Sequence, residues 1–140
     1  MSFLLDTNVI SEMRRKNAAN ANLLAWSRTV IVSSLFVSAV TLWELEQGIL
    51  SVARRDERQG GILRRWLLAD FLPQFQDRIL PFDIVVALHC ASMHVPDPKP
   101  DRDSMIAATA AVHSLTVATR NTKDFTACGV PTFNPWLYQP

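Results

Sequence analysis

Four carboxylates stand where this chain turns into helices: Asp6 after the apolar run Phe3-Leu4-Leu5, Glu44 in "TLWELEQG", Asp103 in "PDRDSMIAATAA" and Asp124 in "TRNTKDF". Each has a plain structural reading. Asp6 and Asp103 suit helix N-caps, where a carboxylate accepts free backbone N–H groups. Thr41-x-x-Glu44 has the spacing of a capping box, and Asn121-x-x-Asp124 is a looser analogue. Taken together they suggest more. Four carboxylates gathered on one rim repel each other and raise their own pKa values, a penalty that a divalent cation relieves. An all-oxygen donor set without His or Cys suits a hard ion, Mg²⁺ or Mn²⁺, rather than zinc. The two readings are compatible, because a cap can fix the backbone while its carboxylate faces a cleft.

Such a cleft needs a scaffold that brings distant residues together. Phe3–Leu5 is too short and apolar for a helix and reads as a buried strand. A helix follows from Thr7 to about Arg15, and another from Ala18 to Arg28. The β-branched stretches Val30–Val32 and Leu35–Val40 predict at least one strand. Thr41–Arg54 has helical spacing, the polar "RRDERQGG" breaks it, and Ile62–Phe75 is helical again. Arg78–Phe82 predicts a short strand, and Asp83 is placed to cap a helix from Ile84 to about His94. The prolines of "VPDPKPDRD" make a loop. Ser104–Ser114 is a small-residue helix, with strands at Leu115–Thr119 and Val130–Phe133. Strands alternating with helices predict a three-layer α/β/α domain with a mostly parallel central sheet. In such sheets ligands bind beyond the carboxyl ends of the strands, where strand order reverses. The four acids occupy such positions.

At 140 residues the chain fits one domain, 1–140, with room for a hydrophobic core. Hydrophobic residues at 49%, charged residues at 19% and a mean hydropathy of +0.10 exclude a disordered chain and suggest some apolar surface covered by another chain. A formal charge of +1 gives no global basic field, so nucleic-acid contact must come from local clusters. Cys90 and Cys128 form no disulfide framework. No apolar run approaches the roughly 20 residues of a membrane span, and the N-terminus lacks the pattern of a signal peptide. A cytoplasmic setting without membrane association is expected. His89, Cys90 and His94 lie on one apolar helix without a second ligand pair, which argues against zinc. No Ser/His or Cys/His arrangement points to covalent catalysis.

The segments "LLDTNVISE", "SAVTLWELEQG", "DSMIAATAAVHSLTVATRNTKDF" and the closing "FNPW" occur in an order that resembles the PIN-domain family, and within it the VapC/FitB-type toxins of bacterial toxin–antitoxin pairs. The resemblance implies a Mg²⁺- or Mn²⁺-dependent endoribonuclease. It carries over Asp6, Glu44, Asp103 and Asp124 as the catalytic, metal-holding acids, with Asn121 as an alternative position for the fourth. Asp103 is preferred to Asp101 because it directly precedes Ser104–Thr109. Thr7, Asn8 and Asn121 become supporting polar residues. Arg14, Arg15 and Arg120 are candidates to touch the RNA backbone. The implied partners are an RNA substrate, a small DNA-binding antitoxin and a second copy of the chain. A hard-metal phosphatase, a DNA nuclease, or a binding module whose acids are only caps remain the alternatives.

Overall fold

The computed structural model describes residues 1–140. Five short strands, β1 (Phe3–Leu5), β2 (Leu35–Ser38), β3 (Ile79–Leu80), β4 (Thr116–Ala118) and β5 (Thr132–Phe133), form one sheet in the order β3-β2-β1-β4-β5. Every neighbouring pair is parallel. Alternate residues of β1 serve opposite faces, as the pleat requires. Phe3 and Leu5 join the larger core with Leu35, Val37 and Ala118, while Leu4 joins Val117, Ile106 and Phe125 on the other face. An edge-to-face contact of Phe3 with Trp26, with centroids 5.1 Å apart, fixes the first layer.

The larger core is covered by α1 (Thr7–Met13), α2 (Ala21–Ser27), α3 (Ala39–Arg55), α4 (Glu57–Trp66) and α5 (Leu72–Phe75). The opposite face carries α7 (Asp101–Val112) and α8 (Thr122–Ala127), with α6 (Ile84–Met93) packed outside α7. The three-layer α/β/α expectation is therefore met. The chain lays β2 and β3 to one side of β1, then crosses to place β4 and β5 on the other. Its switch point is the β1/β4 junction, where Asp6 N–H continues the ladder to the Ala118 carbonyl at 3.0 Å.

The strand expected among Val30–Val32 and Leu35–Val40 is β2: the β1–β2 ladder begins at Phe3 opposite Leu35, and Val32–Ser34 closes a 3₁₀ turn before it. One local expectation is corrected. The polar stretch after α3 is no gap. Asp56 alone breaks the helix, at φ −148° and ψ 92°, and its carboxylate accepts the Gln59 N–H to start α4. Gly60 then sits inside α4 because a Cβ there would lie 2.4 Å from Ala53 Cβ. The helical run expected to Phe75 does end there, passing through Pro73. The proline cannot donate to the carbonyl four residues back, and the preceding Leu67–Phe71 widens into a π-turn that accommodates it. The helix start expected at Asn121–Asp124 is α8, Thr122–Ala127. On the outer side of α6, Ile84, Val85 and Leu88 are exposed, as is Phe82 just before it. No helix is long and apolar enough to cross a membrane.

Candidate acidic active site

Asp6 leaves β1 and starts α1, and it is buried. Its Oδ1 accepts the Thr7 N–H at 2.8 Å, and its Oδ2 accepts the Thr119 hydroxyl at 2.7 Å and the Asn8 amide at 3.3 Å. Burial raises its pKa, the Thr119 and Thr7 donors pull it down, and the Glu44 charge pushes it up again. Glu44 projects from α3. One oxygen accepts the Thr7 hydroxyl at 2.7 Å, and the other faces the Arg102 guanidinium at 3.5 Å. The Thr7 and Asn8 side chains therefore hydrogen-bond to Glu44 and Asp6.

Asp103 enters from the first turn of α7. Burial, then the charges of Asp6, Asp124 and Glu44, push its pKa up to about 6, and a hydrogen bond with Asp124 favours the protonated form further. All four acids thus share one electrostatic environment. Asp124, on α8, accepts the Asn121 amide at 2.8 Å. Asp6, Glu44, Asp103 and Asn121 line an open cleft of about 650 Å³, with Thr7, Asn8, Arg14, Arg15 and Arg120 among its walls.

The capping assignments change. Pro100, not Asp103, precedes α7, so Asp103 is the third helical residue and its carboxyl is free for the cleft. Thr41 forms no capping box with Glu44, because α3 starts earlier and Ser38 caps it through the Val40 N–H. The Thr41 hydroxyl is instead buried without a partner. Asn121 precedes α8 without capping it, and its side chain orients Asp124.

Two contributors escaped the sequence, Thr119 and Arg102, and a third, Arg120, was a candidate whose packing was not legible. Thr119 is the only residue that touches Asp6, Asn8 and the Asn121 N–H at once, yet it reads as the end of an apolar strand. Arg102 lies between two acids in "DRD" and stacks 4.3 Å above the Trp43 ring. Arg120 packs over Trp136, with 5.2 Å to the centroid. A fifth cleft acid, Glu12, serves as a brace: it accepts the Asn20 N–H at 2.7 Å and pairs with Arg15, and these lower its pKa. Arg64 pairs with Glu46 on the neighbouring helix.

The donor set of the four acids, oxygen only and bearing excess negative charge, fits a hard divalent cation in its chemistry. No three His, Cys, Asp or Glu side chains stand in a ready-made coordination shell, so ligation would require side-chain rotations. Cys90 and His94 both contact the Ser104 hydroxyl.

The family model of the PIN domain matches residues 3–129. The chain belongs to the PIN-domain family. Among relatives of this PIN-domain protein, the Toxin FitB of Neisseria gonorrhoeae is 41% identical over 138 residues, spanning 95% of this chain and 97% of the relative. The VapC ribonuclease Y4jK of Sinorhizobium fredii is 35% identical, spanning 95% and 96%. The crystal structure of FitAcB from Neisseria gonorrhoeae superposes with a TM-score of 0.87 at 39% identity, covering 96% of this chain and 99% of that one.

Proposed function

We propose that this PIN-domain protein is the toxin of a toxin–antitoxin pair, an endoribonuclease that hydrolyses RNA phosphodiester bonds with Mg²⁺ or Mn²⁺. The observation that carries the reading is the convergence of Asp6, Glu44 and Asp103 on one open cleft at the β1/β4 switch point, with Asn121 of the same cleft holding Asp124. Relatives named as a toxin and as a ribonuclease support it.

Asp6, Glu44, Asp103 and Asp124 would hold the ion, which supplies Lewis acidity that activates water and offsets charge developing on the phosphate. The chain's own residues do the rest. Thr119, Asn8 and the Thr7 backbone hold Asp6 in place, and the Thr7 hydroxyl orients Glu44. Asn121 holds Asp124 at the cleft edge, where it can orient the attacking water. Arg14, Arg15 and Arg120, on the cleft walls, neutralise backbone phosphates of the RNA.

An enzyme that cuts cellular RNA needs an inhibitor in its own cell. The partner is a small DNA-binding antitoxin whose tail occupies the groove of Leu45, Ile49, Val52, Leu63 and Trp66, with a cation reaching the acids. A second copy of the chain covers the exposed apolar side chains around α6, a point that light scattering checks directly.

The test is incubation with total RNA in Mn²⁺ or in chelator, with mapping of the cut ends. Asp6→Asn, Glu44→Gln and Asp103→Asn are each expected to lose at least about 100-fold in cleavage, within the range for groups that stabilise transition-state charge. Asp124→Asn is expected to lose much, though not all. Wild-type cleavage by any of the first three at saturating metal removes that residue from the site. Undiminished growth of cells making the soluble protein alone counts against the toxin role.

A further inference from the structure

Ser104 directly follows Asp103 and is completely buried. Its Oγ lies 2.7 Å from the Asp101 carbonyl oxygen, 2.8 Å from His94 Nε2 and 3.5 Å from Cys90 Sγ. A hydroxyl has one proton to donate, and a carbonyl oxygen can only accept. That proton goes to Asp101, so His94 Nε2–H must donate to Ser104. His94 Nδ1 is then bare, and it accepts the Lys99 N–H at 3.3 Å. The neutral Nε2–H tautomer is assigned by its partners.

The ring joins three segments. His94 ends α6, Lys99 lies in the loop Val95–Pro100, and Ser104 sits in the first turn of α7. The loop has few other ties, because Pro96, Pro98 and Pro100 have no N–H. Its residues Val95–Pro98 are exposed. Asp103 stands on the same first turn and lines the cleft with Asp6 and Glu44.

We propose that His94 is a positioning residue for Asp103: its neutral ring, through Ser104 and Lys99, clamps the prolyl loop to the first turn of α7 and holds the Asp103 carboxyl in the acid cleft. The link to metal binding rests on the function proposed above; the clamp itself does not.

The test compares His94→Gln, which keeps one donor and one acceptor, with His94→Leu, which keeps bulk and loses both. Measured on the full chain are the imidazole ¹⁵N shifts, hydrogen exchange at the Ser104 and Met105 amides, and Mn²⁺ titration by thermal shift. The wild-type ring is expected to carry its proton on Nε2. The Leu variant is expected to exchange about 10-fold faster in that turn and to bind Mn²⁺ about 10-fold more weakly, the usual scale for groups that orient ligands. The Gln variant is expected to restore both. A wild-type ring protonated on Nδ1 alone, unchanged exchange in the Leu variant, or no rescue by Gln overturns the proposal. Should His94→Leu not fold, Ser104→Ala, which removes the receiving hydroxyl, takes its place with the same expected losses. A wild type with no Mn²⁺ response defeats the metal reading alone, and the exchange comparison then decides the clamp.

Discussion

Replacing Asp103 by Asn should stabilise the metal-free protein at neutral pH. The Asp103 carboxyl has no hydrogen-bond donor beside it, only other acids, and its pKa is pushed from 3.8 to about 6. The folded state therefore keeps a proton that the unfolded chain releases. Stability from that proton is present in full below 3.8 and is lost as the pH rises to about 6. The full separation corresponds to about 3 kcal/mol. The carboxyl is half-exposed, and solvent screening reduces the expected effect to about 1 kcal/mol. For a chain of this length that is about 3–4 °C in Tm. In excess chelator at pH 7.5, Asp103→Asn should melt higher than wild type by that amount, and the gap should close as the pH falls towards 4. Millimolar Mn²⁺ should raise the wild type more than the variant. A variant less stable than wild type in chelator at pH 7.5, or a gap that ignores pH, would refute the repulsive cluster.

Asp6→Asn should have the opposite sign in chelator, a loss of about 1 kcal/mol, because Asp6 accepts three donors and an amide places its own N–H₂ against one of them. Thermal melts of the two variants side by side test this contrast. Thr41→Val should raise Tm by a few degrees, since it removes a buried hydroxyl without a partner at nearly constant shape; a fall would show that the hydroxyl is satisfied in solution. Gly60→Ala should lower stability by about 1–3 kcal/mol despite the better helix propensity of Ala, because the new methyl meets Ala53. Urea denaturation measures it, and a more stable variant would mean that α3 and α4 separate freely.

The layer architecture was legible in the sequence alone, and so were the four acids as candidates. Short apolar runs such as Phe3–Leu5 and the small-residue segment after Asp103 report burial on both sides, which depends on residue type and therefore shows in the string. Asp6, Asp103 and Asp124 were legible because each follows a strand or lies in the first turn of a helix, and parallel topology sends such positions to one rim, which Glu44 reaches from further along α3. Their partners were not. Thr119 reaches Asp6 across 113 residues of chain, and Thr7 reaches Glu44 across 37, so both contacts exist only once β4 and α3 have docked against β1. The caps shifted for a related reason. A capping box is a local pattern, but where α3 starts was decided by Ser38, buried at the end of β2, and the pattern at Thr41 was left inside the helix. The helix start inside "RRDERQGG" is a local cap of Asp56 on the Gln59 N–H, whereas the close approach of Gly60 to Ala53 is a contact between two helices that no local propensity encodes.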